Sequence, residues 1–253
     1  MTDGRIGVND SVSLLMIEYR ERHRKRLVEN TNLNLHHDKL YLGLPVQTSA
    51  GPLIKEWLER IRLSIMEQLA KHSRVLALRI DLRFPANYWG CEEGFLGNEF
   101  LQDFRAYLRR ELDRLPGNRN HDLMVLFARE YDKHERKPHF HLLILLNGNA
   151  FRGTGKWDLS CNNLYSRLYE SWAYALGMRA PEIEGLIQFA NGSALEGRGQ
   201  DYIRSGSMLL QRGDEQMFRN LFWVSSYLAK VATKNFHDGC RPFVSPRLKF
   251  SDW

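Results

Sequence analysis

The amino-acid sequence predicts an α+β protein built on a mainly antiparallel sheet. Three observations carry this. Strand-like and helix-like segments are mixed along the chain, two apolar runs flank a short charged segment as the arms of a hairpin do, and no internal repeat imposes a solenoid. The 253 residues suffice for one main domain, expected over 51–253 and preceded by an N-terminal helical, basic segment and linker over 1–50.

The elements follow in order. Leu14 to Leu27, apolar and then basic at Arg20, Arg22, Arg24, Lys25 and Arg26, reads as a helix with a charged face, and Asn30 to Asp38 as a polar linker. Gly51-Pro52 opens an amphipathic helix with Ile54, Trp57, Leu58, Ile61 and Ile65 at helical spacing, an apolar face that needs a sheet to cover it. Val75 to Phe84 alternates as a strand: Leu78, Ile80, Leu82 and Phe84 face the core, while Arg79, Asp81 and Arg83 make the other side polar enough to line a site. A helix from the Asn98 cap to about Leu115 aligns Phe100, Leu101, Phe104, Leu108 and Leu112 and stops at Pro116-Gly117. Leu123 to Tyr131 and Pro138 to Leu146 are strands flanking the charged hexapeptide Asp132 to Lys137, a hairpin with an exposed loop. A helix over Asp158 to Leu176 is halted by Gly177, and a short strand follows at Ile183 to Phe189. Asn191 to Gly206, rich in Gly and Ser, reads as a loop, and Asp214 to Lys234 as a final helix turning Met217, Leu221, Val224 and Leu228 inward.

Composition narrows the function classes. With 43% hydrophobic and 26% charged residues, the chain has the make-up of an ordinary soluble globular protein and not of a disordered or membrane one. A net charge of +6 favours a polyanionic partner without choosing among DNA, RNA and acidic lipid. Met1 to Asp10 is polar and lacks the apolar core of a secretory signal, and no stretch reaches the length of a membrane span, so a cytoplasmic protein without a membrane partner is expected. Cys91, Cys161 and Cys240 are odd in number and widely separated, fitting free thiols better than a disulfide framework or a Cys-x-x-Cys metal site.

The chemistry concentrates in two short motifs. His139 and His141 are two apart on a strand, so both imidazoles leave the same face. If the hairpin closes with Tyr131 opposite Pro138, Glu130 lies across from His139 and Ala128 across from His141, giving a His-Glu-His cluster. Two imidazoles and a carboxylate suit a divalent metal, Mg²⁺ or Mn²⁺ among others; the plain alternative is a Glu-His ion pair on a solvated sheet face. On the last predicted helix Tyr227, Lys230 and Lys234 fall at i, i+3 and i+7 and share one face. A tyrosine attacking phosphate must lose a proton held with a pKa of about 10, and a neighbouring cation such as Lys230 favours the phenolate. The alternative for Tyr227 is an amphipathic residue at a helix-sheet boundary.

These residues stand in the order of a known family: the run Arg79-Ile80-Asp81-Leu82-Arg83-Phe84-Pro85, Glu130 ahead of Lys137-Pro138-His139-Phe140-His141-Leu142-Leu143-Ile144-Leu145, then Ser226-Tyr227-Leu228-Ala229-Lys230 with Thr233-Lys234. The chain resembles the replication initiators of filamentous phages (inoviruses), within the HUH (His-hydrophobic-His) endonucleases, over roughly residues 75–245. That resemblance implies a central antiparallel sheet of about five strands with flanking helices, a divalent metal held by His139, His141 and Glu130, and Tyr227 as nucleophile. It implies nicking of one DNA strand with the 5′ phosphate kept on tyrosine, which starts rolling-circle replication of a phage, prophage or satellite element. Relatives with two tyrosines space them four apart; Val231 holds that position here, so the chain is similar to the single-tyrosine type. Single-stranded or origin DNA and host replication proteins are the expected partners, with Lys234, Arg79, Arg83 and Arg241 as candidate DNA contacts. The competing expectation is a DNA-binding replication regulator that keeps the fold and does not cut. A histidine-triad hydrolase would need a further His where Leu143 stands.

Overall fold

The computed structural model describes residues 24–88, 97–116, 120–131, 137–190 and 207–248. The expected N-terminal helix lies outside the described residues as far as position 23, and from Arg24 the chain is non-helical, with an isolated bridge from Arg26 to Asn34. Four two-residue strands come next: β1 (Leu35–His36), β2 (Leu40–Tyr41), β3 (Leu44–Pro45) and β4 (Leu53–Ile54), with β1 antiparallel to β4 and β2 to β3. The polar stretch expected to be a linker therefore holds a strand, because Leu35 is anchored in the core. Helix α1 (Lys55–Lys71) buries Trp57, Leu58, Ile61 and Ile65. It starts later than Gly51-Pro52 suggests because Leu53 and Ile54 are committed to pairing with β1.

The main elements follow: β5 (Arg74–Leu82), α2 (Glu99–Asp113), β6 (Met124–Tyr131), β7 (Pro138–Asn147), α3 (Leu164–Leu176), a 3-10 turn at Ala180–Ile183, β8 (Ile187–Phe189), β9 (Ser207–Gln211), α4 (Glu215–Ser226), a second 3-10 turn at Tyr227–Ala229, and β10 (Phe243–Val244). Helix α3 begins at Leu164, later than expected, because Asn163 caps it by accepting the Ser166 N–H at 3.1 Å. It ends at Gly177, whose φ of 67° is the left-handed C-cap anticipated there. The strand expected from Ile183 is reduced to β8, its first residues being taken by the 3-10 turn. The Gly- and Ser-rich segment expected at 191–206 lies outside the described residues.

The protein is α+β. Among the described residues, four α-helices accompany a six-stranded antiparallel sheet in the order β10-β6-β7-β5-β8, with β9 also paired to β5. Six strands fill five positions: β8 covers Ile80 to Leu82 and β9 covers Arg74 to Leu78 along the same edge of β5.

Both faces of the sheet are covered. Leu76, Leu78, Ile80 and Leu82 of β5, with Phe140, Leu142 and Ile144 of β7, pack against Phe104 and Leu108 of α2 and Leu168 and Trp172 of α3. On the other face Val75, Ala77, Leu126, Leu143 and Leu145 meet Leu58 and Ile61 of α1 and Leu221 and Phe222 of α4, joined by Leu27, Leu35 and Val46. Each such aliphatic or aromatic side chain contributes roughly 1.5–3 kcal/mol when fully buried. This second face changes character along β5 and β7: Ala77 pairs with Leu145, then Asp81 with His141. The polar end begins where the apolar layer stops. Among the described residues no helix is long and apolar enough to cross a membrane.

Candidate metal and nucleophile site

The hairpin register sets the first three residues. Glu130 pairs with His139, Ala128 with His141 and Tyr131 with Pro138, as the closing geometry predicted. The alternation of a strand sends Glu130, His139 and His141 to one face, and the small Ala128 adds no bulk among them. All three are buried. His139 Nε2 and His141 Nε2 are 3.1 Å apart, and Glu130 Oε2 stands 3.2 Å from His141 Nε2 and 4.0 Å from His139 Nε2. Ligands about 2.1 Å from one ion at tetrahedral or octahedral angles lie roughly 3.0–3.4 Å from one another. Two edges of this triangle already match and the third is slightly open, so the residues fit a metal, and the Glu130-His139-His141 group could hold one.

A residue that carried no assigned role in the sequence reading completes the arrangement. Asp81, cross-strand from His141, places Oδ1 at 2.5 Å from His141 Nδ1. An Nδ1–H donated to this carboxylate leaves the Nε2 lone pair aimed at the shared point, the outer support typical of metal-binding histidines. Arg79 Nη1 binds the same Oδ1 at 2.5 Å and the Ile80 carbonyl at 2.9 Å. Arg79 Nη2 also lies 2.9 Å from His141 Nδ1. One nitrogen cannot donate to Asp81 and accept from Arg79, and the shorter contact with a charged acceptor assigns the proton to Asp81. Burial would raise the Asp81 carboxyl, but Arg79 and His141 beside it hold it well below the usual carboxylate range.

Tyr227 and Lys230 reach the same place by a route that helical spacing does not describe. Helix α4 stops at Ser226, Tyr227 to Ala229 form a 3-10 turn, and Lys230 is extended with ψ 143°. The cause is competition from β4: Leu53 bridges to Lys230, and Pro52 O accepts the Val231 N–H at 3.1 Å. The half-buried Tyr227 sets its ring nearly perpendicular to that of His141, with centroids 5.0 Å apart. Lys230 Nζ donates to Tyr227 Oη, lies 3.8 Å from the ring centroid and also stands 2.7 Å from Glu130 Oε2.

The chain then bends at Thr233, whose φ of 69° is unusual for a β-branched residue. The Tyr131 N–H to Thr233 O bond at 2.9 Å ties this bend to β6, and Thr233 Oγ1 donates to Glu130 Oε2 at 2.7 Å. Lys234 Nζ pairs with Glu130 Oε1, both side chains buried. Burial alone would raise Glu130, but His141, Lys234 and Lys230 hold its carboxyl well below the usual range. Burial pushes Lys234 down to about 8, with Glu130 opposing the shift.

The structure thus gathers Glu130, His139, His141, Tyr227, Lys230 and Lys234. Arg79 and the side chain of Lys234, expected among the DNA contacts, are buried instead and serve Asp81 and Glu130, because opposite charges on the same face capture them. Arg83 is half-buried just beyond β5, and the exposed Arg241 lies at the start of α2, its carbonyl accepting from Asn98 Nδ2 at 3.0 Å. Two residues that stand in the quoted motif runs had no role assigned from the sequence: Asp81, whose alternation with Arg79 signalled it, and Thr233, whose role depends on a turn that the helical pattern hides. Cys161 and Cys240 are free, and Cys91 lies outside the described residues.

Compared with known proteins, residues 36–245 match the family described as the YagK/YfjJ C-terminal domain. The chain is 27% identical over 212 residues to the uncharacterized protein YfjJ of Escherichia coli (strain K12), covering 78% of this chain and 96% of that protein. It is 26% identical over 220 residues to the uncharacterized protein YagK of the same strain, covering 80% of this chain and 98% of that one. No solved structure matches the chain.

Proposed function

The chain belongs to the YagK/YfjJ C-terminal domain family, and we propose that it is a metal-dependent DNA strand-nicking and strand-joining enzyme with a tyrosine nucleophile, of the HUH kind found in filamentous-phage replication initiators. One observation carries the reading: Lys230 Nζ touches both Tyr227 Oη and, at 2.7 Å, Glu130 Oε2, so a nucleophile and a metal-ligand set share one cation. The bacterial cytoplasm is the proposed setting, single-stranded origin DNA the substrate, and host replication proteins the partners.

The residues divide the work. A divalent ion, Mg²⁺ or Mn²⁺, held by Glu130, His139 and His141 would polarise the scissile phosphate and shield its charge. Asp81 fixes the His141 ring and its tautomer. Lys230 donates a hydrogen bond to Tyr227 Oη and would offset the charge that builds on the phosphoryl oxygens. Tyr227 Oη releases its proton to solvent and bonds to phosphorus while the bond to the 3′ oxygen breaks. The 5′ phosphate stays on tyrosine, and the 3′ oxygen leaves as a hydroxyl after taking a proton from solvent. Joining is the reverse step. With Val231 four residues on, one tyrosine serves each chain.

The test is a covalent adduct. Wild-type protein incubated with Mn²⁺ and a labelled pool of random single-stranded DNA gives a denaturant-resistant protein-DNA band, lost with Tyr227→Phe and with EDTA. A band of equal strength from Tyr227→Phe would remove the nucleophile assignment. DNA binding without any band, in Mg²⁺ or Mn²⁺, would favour a non-cutting regulator.

A further inference from the structure

Glu130 is crowded in a way that a metal ligand should not be. Its Oε2, the oxygen facing both imidazoles, already receives Lys230 Nζ at 2.7 Å and Thr233 Oγ1 at 2.7 Å, and its Oε1 receives Lys234 Nζ. A carboxylate oxygen offers two lone pairs, and on Oε2 both are taken. A metal shared with His139 and His141 needs one of them, so one donor must leave.

The three donors differ in their freedom to go. Lys234 lies on the other oxygen and is enclosed, with a side chain 0% exposed. Thr233 is neutral, is held by the Tyr131 N–H on its carbonyl, and is a compatible neighbour, since metal-ligating carboxylates are commonly hydrogen-bonded as well. Lys230 is charged, is on Oε2 itself, and would face direct repulsion from an arriving cation. It has a second acceptor in place in Tyr227 Oη, as Thr233 Oγ1 has in the Ala232 carbonyl, so what singles Lys230 out is its charge.

We infer that Lys230 is the metal's competitor for Glu130. Without metal its ammonium neutralises Oε2. When metal binds, Lys230 gives up that oxygen and rests wholly on Tyr227 Oη. Metal arrival and delivery of a full cation to the nucleophile are then one event, so a chain lacking metal keeps its tyrosine under-supported. No bond is made or broken, and no group beyond the divalent ion is required. The inference rests on the metal and nucleophile roles proposed above.

The experiment is Mn²⁺ binding to the full chain at fixed pH, followed by the paramagnetic resonance of free Mn²⁺. Lys230→Met, which keeps the bulk and removes the charge, should bind Mn²⁺ at least about tenfold more tightly than wild type, within the span by which groups surrounding a metal shift affinity. Equal or weaker binding, in a variant that melts within a few degrees of wild type, overturns the inference. A measurement on the wild-type chain guards against a misfolded variant: in protein carrying ¹⁵N-lysine, saturating Mg²⁺ should move the Lys230 ammonium resonance more than that of Lys234. An unmoved Lys230 signal overturns the inference. A wild-type chain that binds no Mn²⁺ overturns both this inference and the metal reading. If Lys230 moves and Lys230→Met binds tighter but no DNA adduct ever forms, the competitor role stands and the nicking reading falls; an adduct without tighter binding leaves the reverse.

Discussion

Asp81 supports His141 without belonging to the three-residue cluster, and its contribution can be isolated. Asp81→Asn keeps an oxygen that can accept from His141 Nδ1 but loses the charge that Arg79 compensates. Metal affinity should fall about 10-fold for Asp81→Asn and toward 100-fold for Asp81→Ala, the span seen when such outer partners are removed. Mn²⁺ titration of variants with unchanged far-UV circular dichroism checks this, and equal affinities across the series would deny Asp81 its role. The difference between this residue and the cluster it serves shows what one strand can reveal. Glu130 could be placed opposite His139 because a tight hairpin fixes its own register. The second neighbour of β7 is β5, more than fifty residues earlier, and nothing local states that Asp81 lands opposite His141.

At the level of elements, the segment after α4 is where helical periodicity misleads. Met217, Leu221, Val224 and Leu228 continue an inward stripe through the point where the helix ends, because the 3-10 turn keeps Leu228 in the core while β4 claims the backbone beyond it. The bend at Thr233 then turns Lys234 inward, which has a consequence for stability. In the folded metal-free protein Lys234 titrates at about 8, against the ordinary lysine value of 10.5. Between those values the unfolded chain binds more protons than the folded one, so stability rises with pH across the window and the gain is lost as pH falls through about 8. Urea midpoints at several pH values in this range, with metal chelated, should rise more steeply for wild type than for Lys234→Met. Parallel slopes would show that the buried ammonium is not the source.

The whole molecule joins parts that composition separates. Leu27, Leu35 and Val46 share a core with α1 and α4, Gln47 N donates to Ser226 Oγ at 2.9 Å, and Gln47 Nε2 donates to Trp223 O at 2.9 Å. These contacts brace the end of α4 immediately before Tyr227. A chain starting at residue 51 should therefore lose several kcal/mol of stability, at roughly 1.5–3 kcal/mol per buried apolar side chain removed, and should bind Mn²⁺ less tightly. Chemical denaturation of the shortened chain beside the full one decides it, and an unchanged midpoint would show residues 24–50 to be an accessory. The polar wording of that region hid this attachment, since a few scattered apolar residues carry it. The α+β class and the hairpin were legible in the pattern, whereas the covering of both sheet faces was half visible: β7 reads as an unbroken apolar run from Leu142 to Leu146, as a doubly covered strand should.

The divided edge of β5 bears on how such a protein can vary. Phe189 of β8 lies opposite Ile80 and Ser207 of β9 opposite Leu78, so the two run on in one direction as a single strand interrupted. Their facing ends are two β5 residues apart, about 7 Å along the strand. Chain leaving at one point and re-entering at the next closes its own base, whatever its length. Because its two flanking strands are each paired to β5, the position between Ala190 and Ser207 is where a reporter peptide should be accepted with the sheet register kept, and an unchanged far-UV circular dichroism spectrum and urea midpoint check this.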